Sequence, residues 1–244
     1  MACTEDSQKI SPRSNELFNN QWTTYQKILN SNYMGHREIY DVLHELLVSY
    51  QKPFKMLELG CGDASFTAQA LLNTFVESYK GIDLSEAALK IANSNMAPIN
   101  CSKTFTEGDF SELIPQLVEN QKDSFDVILI SFALHHLLVE QKDYIIGQLL
   151  NLLTTNGVFI LIDVVRKPEE NRETYIRRYL EEVQKSWSLV TPQEYSMVEN
   201  HISSNDFPET QEILYSIAKK HDFSRVECLY CDPLDMTKLL CFYR

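Results

Sequence analysis

Gly60-Cys61-Gly62, in the stretch KMLELGCGDASF, stands between an apolar run that reads as a buried strand (Met56–Leu59) and a helical pattern that begins at Asp63. A strand, a glycine turn and a helix form a device for holding a nucleotide, because glycines let the backbone approach the ligand closely. The spacing G-x-x-x-x-G-K-[ST] is absent, so triphosphate cradling by that motif is excluded. The dinucleotide fingerprint needs a third glycine where helix meets strand, and Ser65 stands there instead. Three carboxylates accompany the turn. Asp83, in KGIDLS, ends a second strand, where it can accept hydrogen bonds from both hydroxyls of a ribose. Asp109 and Phe110, in EGDF, end a third strand and offer a carboxylate for an adenine amino group beside an apolar wall. Glu58 precedes the turn and suits a positively charged ligand better than a pyrophosphate.

Two further groups could do chemistry. His135 and His136 follow the long apolar strand FDVILISFA, and imidazoles with ordinary pKa values near ~6.5 are suited to general acid–base work. Cys228 and Cys231 form one C-x-x-C in RVECLYCD. On a regular strand residues three apart point to opposite faces, and no second C-x-x-C or C-x-x-H completes a tetrahedral site. They read as packing cysteines, and no metal is expected.

Apolar periodicity places these residues on alternating strands and helices. The strands near residues 57, 127 and 160 are apolar almost throughout, as when helices cover both faces of a sheet. The expected fold is α/β: a doubly wound, Rossmann-like, mainly parallel seven-stranded sheet with an antiparallel last strand. The expected organisation is an N-terminal helical cap over 1–50 with a break near Gly35, a cofactor-binding core over 51–165, a helical lid inserted after the fifth strand over 166–222, and a closing β-hairpin over 223–244. Within the insertion, Thr191-Pro192-Gln193-Glu194 fits a capping box with proline at the first helical position. Asp206-Phe207-Pro208-Glu209 reads as the start of another helix.

In order and spacing, LELGCGDAS, GIDLS, EGDF and FDVILISFALHHL resemble the class I S-adenosylmethionine-dependent methyltransferases, over about Phe54 to Val165 and the final hairpin. The likeness is greatest to the small-molecule branch, which includes quinone-biosynthesis and natural-product enzymes. Ala64 departs from the family's more usual third glycine, and LTTNG replaces its usual Pro-Gly-Gly turn. The resemblance implies S-adenosylmethionine as cofactor. Gly60, Cys61 and Gly62 would face its methionine part and Glu58 would support that loop or the ammonium. Asp83 would hold the ribose, Leu84 would pack on adenine, and Asp109 with Phe110 would fix the adenine edge. Ser131 and Phe132 would line the methionine end, and Tyr25, from an N-terminal helix, would close over it. His136, with His135, is the expected base. Tyr33, His36, Arg37 and Arg166 are the expected substrate contacts.

Composition limits the acceptor. A net charge of −12 over 244 residues repels a long phosphate backbone on average, so nucleic acid is not the expected partner. No apolar run approaches the ~20 residues of a membrane span. The N-terminus lacks the apolar core of a signal peptide, and six cysteines without such a signal are expected reduced, so a cytoplasmic location is expected. The sequence thus predicts methyl transfer to an oxygen or nitrogen of a small metabolite. The alternatives are a protein or RNA methyltransferase, against which SFALHH stands where an Asn-Pro-Pro-Tyr-type motif would be, and a non-catalytic cofactor-binding regulator or scaffold.

Overall fold

The computed structural model describes residues 22–120 and 124–244; the start of the expected N-terminal cap lies outside them. Helices α1 (Trp22–Asn30) and α2 (His36–Val48) come first, parted at Gly35, whose φ of 69° breaks the helical path. The core then alternates: β1 (Phe54–Leu59), α3 (Ser65–Ala70), β2 (Val76–Asp83), α4 (Glu86–Asn95), β3 (Ser102–Glu107), α5 (Phe110–Asn120), β4 (Phe125–Ser131), α6 (Val139–Leu152) and β5 (Leu153–Val164). Helices α7 (Arg172–Ser186), α8 (Pro192–Asn205) and α9 (Gln211–Lys220) precede the hairpin β6 (Arg225–Cys231) and β7 (Thr237–Tyr243). The sheet order is β3-β2-β1-β4-β5-β7-β6, with β7 antiparallel to both neighbours. The winding reverses between β1 and β4, and such a switch point opens a crevice at the strands' carboxyl ends.

Each sheet face carries its own apolar cluster. Ile114 of α5, Ile145 and Leu149 of α6 and Leu214 of α9 cover one face. Ile39 and Leu43 of α2, Ala68 of α3 and Ala92 of α4 cover the other. A third cluster joins Ile28 of α1, Tyr175 and Val183 of α7 and Ile202 of α8 to Val164 at the end of β5. So α1, α7 and α8 pack together over the strand ends, whereas α9 joins the core layer beside α6. No helix among the described residues is long and apolar enough to cross a membrane.

Local expectations fare unevenly. The capping box forms: Thr191 Oγ1 accepts from the Glu194 amide and Glu194 Oε2 from the Thr191 amide. The turn expected at TTNG is instead an irregularity inside β5, where pairing jumps from Phe125↔Leu153 to Val127↔Val158. The helix expected from Asp206 begins only after Thr210, whose hydroxyl caps the Ile213 amide. Pro208 disfavours helix at the residue before it, and the extended segment bonds sideways: Phe207 N–H donates to His135 O and Arg166 N–H to Glu209 O. The C-x-x-C parity also fails. A bulge between Cys228 and Tyr230 pairs Cys228 with Leu240 and Cys231 with Lys238, and those partners, two apart on one strand, share a face. Both thiols therefore lie on one side of the edge strand, free and exposed.

The extended segment is anchored from behind by Lys142 of α6, which is 2% exposed. Its ammonium donates to Phe207 O and faces Glu209 Oε1 at 3.4 Å. Burial lowers its pKa and the Glu209 carboxylate opposes that shift. Replacing Lys142 by Met should leave the Phe207 carbonyl unpaired and cost about 3 kcal/mol. The thermal midpoint should then fall by roughly 6–12 °C in a chain of this size; an unchanged midpoint in scanning calorimetry would show that the anchor carries no stability.

Candidate active site

At the end of β1 the chain turns through three left-handed residues, Gly60 (φ 72°), Gly62 (φ 52°) and Ala64 (φ 51°). A Cβ on Gly60 would meet Ala133 Cβ at 2.8 Å, while one on Gly62 would meet nothing within 4 Å. Gly60 therefore permits two loops to touch, and Gly62 opens onto a crevice. Alanine at the third position accepts a backbone conformation that costs roughly 1–2 kcal/mol in a residue with a side chain. The loop is tied to the next strand: Gly60 and Cys61 donate to Ile82 O, and Gly62 N–H donates to Asp83 Oδ2 at 2.8 Å. Asp83 Oδ1 accepts from the Ser85 amide at 2.8 Å. Burial raises the Asp83 carboxyl and these amides partly offset it.

Beneath the loop, Glu58 is 2% exposed and accepts from Thr67 Oγ1 (2.7 Å) and Tyr79 Oη (2.5 Å). Burial pushes its carboxyl up to about 7. Both oxygens are thus engaged within the protein, tying the end of β1 to α3 and β2. Cys61 is buried, and that burial raises its thiol well above the ordinary range, which removes it as a nucleophile. Tyr25 of α1 lies across the crevice; burial raises its phenol, and the charges of Asp63, Asp83 and Glu58 raise it further. Glu58 and Asp63 line this pocket and Asp83 stands behind it on the Gly62 amide, an acidic setting that favours a cationic ligand over a pyrophosphate.

A second cavity, of about 110 Å³, adjoins the first. Tyr25, His36 and Phe132 line both. Phe132 adopts φ 49° as β4 ends, uncommon for a bulky side chain and frequent where a site stores strain. Its ring lies 4.6 Å from that of His36, which also stacks on Phe66 at 5.0 Å. His36 Nδ1 is buried without a hydrogen-bond partner, and burial lowers its pKa to about 4, so the ring is neutral near pH 7.

The end of this cavity is polar. Leu134–His136 form a short turn of 3-10 helix, clamped by Asp163 of β5. Asp163 Oδ2 accepts the His135 amide at 2.9 Å and Oδ1 faces His135 Nδ1 at 2.5 Å. Burial opposes charge on His135, but Asp163 and Asp206 outweigh it and raise its pKa. Asp206, 7% exposed, comes from the extended segment after α8. Its Oδ1 lies 3.4 Å from His136 Nδ1, 3.7 Å from His135 Nε2 and 3.9 Å from His201 Nε2. Burial would raise this carboxyl, yet the facing His135 and His136 rings hold it below the usual range.

Of the expected cofactor residues, Tyr25, Glu58, Gly60, Cys61, Gly62, Ser131 and Phe132 line one pocket, and Asp83 joins it through Gly62. Leu84, Asp109 and Phe110 lie outside that pocket, beyond the neighbouring strand ends. Asp109 Oδ1 accepts the Ser111 amide at 2.8 Å at the start of α5, while Phe110 is buried in the core cluster. His36, His135 and His136 line the inner cavity. Three expected substrate contacts lie elsewhere. Tyr33 stacks on Trp187 at 5.2 Å and accepts the Leu189 amide, facing a separate outer cleft of about 350 Å³. Arg37 is exposed and donates to Asn30 O, closing the end of α1. Arg166 is spent on Pro208 O, Glu170 O and the Glu209 carboxylate. Asp163, His201 and Asp206 went unrecognised in the sequence. The available signal was Asp163, a lone carboxylate within the apolar strand VFILIDVV.

A doubly wound, mainly parallel sheet with a glycine turn at its switch point is a Rossmann-like fold. The chain belongs to the methyltransferase-domain family, whose model matches residues 51–222. It is 27% identical over 158 residues to an uncharacterised methyltransferase of Bacillus cytotoxicus, covering 64% of this chain and 69% of that one. It is 28% identical over 162 residues to another from Bacillus licheniformis, covering 65% and 70%. Among solved structures it is similar to magnesium protoporphyrin IX methyltransferase from Synechocystis PCC 6803 with bound SAH, with TM-score 0.64 and 16% identity over 94% of this chain and 97% of that one. It is also similar to the plantazolicin methyltransferase BamL in complex with a triazolic desmethyl analogue and SAH, with TM-score 0.64 and 15% identity over 95% and 94%.

The Glu58 carboxyl gives a pH test. Folding raises it from 4.5 to about 7, so the folded chain binds the proton more tightly. Its contribution to stability is full below pH 4.5 and is lost as pH rises through about 7, on the order of 3 kcal/mol in all. The stability of Glu58→Gln relative to the wild-type chain, from urea unfolding, should therefore move in the variant's favour by that order across the window. A constant difference would show that folding does not raise the Glu58 carboxyl.

Proposed function

We propose that the chain transfers a methyl group from S-adenosylmethionine to an oxygen or nitrogen of a small metabolite seated in the inner cavity. The observation that carries this reading is the shared wall: Tyr25, His36 and Phe132 separate an anionic glycine-loop pocket from a second cavity that ends in histidines. When bound, the cofactor supplies an electrophilic methyl carbon on a sulfonium. The carboxyl groups of Glu58, Asp63 and Asp83 fit that positive charge, and Ser65 together with this negative field disfavours NAD. Asp83 holds the ribose, Asp109 and Leu84 border the adenine, and the backbone of Gly60–Gly62 and Ser131 faces the methionine end.

In-line transfer requires an acceptor held about 3 Å from the carbon with orbitals aligned. The aromatic wall and the helices α1, α7 and α8 hold the acceptor and keep water out. A hydroxyl or phenol must also lose a proton, and His135 and His136 are the groups placed to assist that loss. The cavity's volume, about 110 Å³, favours a small acceptor over a protein or RNA segment. The solved neighbours named for magnesium protoporphyrin IX and for plantazolicin lean the same way.

The first test is thermal unfolding with S-adenosylmethionine, S-adenosylhomocysteine or NAD at ~100-fold above the dissociation constant, where selective binding adds about 2.7 kcal/mol. Stabilisation by both adenosyl compounds, followed by S-adenosylhomocysteine release with a metabolite pool, is the expected result. Stabilisation by NAD alone would overturn the reading. Asp83→Ala should weaken cofactor binding at least tenfold, about 1.4 kcal/mol, in a calorimetric titration, and unchanged affinity would remove Asp83 from the ribose site. His136→Ala should keep cofactor affinity but slow turnover. Full activity would reduce the histidine pair to packing.

A further inference from the structure

Among the described residues, the carboxylate oxygen Asp206 Oδ1 is buried and makes no hydrogen bond of ordinary geometry, at a place where three imidazoles converge. Burying an unpaired carboxylate is costly, and such groups are normally paired or coordinate a metal. The clamp on His135 sharpens the point. With Nδ1 facing Asp163, Nε2 of the same ring stands 3.7 Å from Asp206 Oδ1. At that spacing the two atoms are held together by something positive between them, a proton or a cation.

We propose that His135 Nε2, His136 Nδ1 and Asp206 Oδ1 bind one first-row divalent cation, zinc in the first instance, at the polar end of the inner cavity. The spacing suits it. Ligand atoms about 2.0–2.2 Å from a tetrahedral zinc stand about 3.4 Å apart; Asp206 Oδ1 lies 3.4 Å and 3.7 Å from the two nitrogens, and all three atoms lie within 4.8 Å of one another. Two imidazoles and a carboxylate suit zinc or iron better than magnesium or calcium. The Asp163 carboxylate on the far nitrogen of His135 is the support commonly found behind a metal-bound histidine. Asn205 O, 3.3 Å from His136 Nδ1, adds a nearby oxygen, and His201 closes the side of the site. A site with three protein ligands keeps a position open, and here that position faces the cavity. The cation would take the acceptor's oxygen or nitrogen there and lower its pKa, replacing His135 as the aid to proton loss, with His136 Nε2 not among its ligands, a consequence that rests on the methyl-transfer reading. This departs from the expectation of no metal, because the ligands come from two distant segments and form no spacing motif.

The test is equilibrium titration of the full chain with Co²⁺ and Zn²⁺, carried out with Cys228 and Cys231 both changed to Ser because these exposed thiols would bind metal on their own account. One Co²⁺ per chain is expected, with visible bands of a four- or five-coordinate nitrogen–oxygen site and no thiolate charge-transfer band. Asp206→Asn and His136→Ala should weaken binding at least hundredfold, and Asp163→Asn by about 10–100-fold. Each variant is first checked for stabilisation by S-adenosylmethionine, which reports an intact fold. Binding unaffected by Asp206→Asn would overturn the proposal. So would no binding in a chain that S-adenosylmethionine still stabilises, which would show a proton-bridged cluster and leave the proposed function standing. Cobalt bound with no response to adenosyl compounds would support the metal site and overturn the donor assignment instead.

Discussion

A carboxylate can be buried only where donors surround it, and Asp163, 4% exposed at the end of β5, imposes that constraint on everything nearby. It takes the amide and ring of His135 and the amide of Val164. The loop after β4 thereby acquires its path, because its backbone must present an N–H and a ring nitrogen to one side chain. His135 O then accepts from Phe207, Phe207 O accepts from Lys142, and Glu209 faces both Lys142 and Arg166. A single buried acid in the sheet is thus connected, bond by bond, to a segment on the far side of two inserted helices.

The two pockets divide the electrostatic work. One is ringed by carboxyls, with Glu58 held near the midpoint of its titration at neutral pH by burial. The other is walled by aromatic rings and by imidazoles, of which His36 and His201 are both lowered to about 4 by burial. Cationic and apolar demands are met a few ångströms apart, with Phe132 and His36 as the partition. Phe132's left-handed backbone is the local strain that this partition requires.

Much of the fold was legible because both-sided burial writes continuous apolar runs into β1, β4 and β5, and because glycine and capping residues punctuate the chain. The placing of Gly60, Gly62 and Asp83 side by side was readable for a similar reason: it is set locally, by a turn and the strand end beside it. Asp206 was not. Its neighbours suggested a helix start, whereas Pro208 and the cross-chain bonds of Phe207 and Glu209 hold the segment extended. Tyr33, Arg37 and Arg166 were misplaced because their partners, Trp187, Asn30 and Glu209, were open to tertiary choice. The bulge that turns Cys228 and Cys231 to one face leaves no compositional mark.

Helix α1 has a double allegiance. Tyr25 borders both pockets, Ile28 belongs to the third apolar cluster, and Lys27 reaches Glu194 of α8 at 2.5 Å. Any occupant that firms up this helix from one side also firms the wall seen from the other. Thermodynamic reciprocity then requires that each ligand improve the other's affinity by the same factor. Cooperative loading would be a property of a shared helix, with no direct contact between the two ligands needed to explain it.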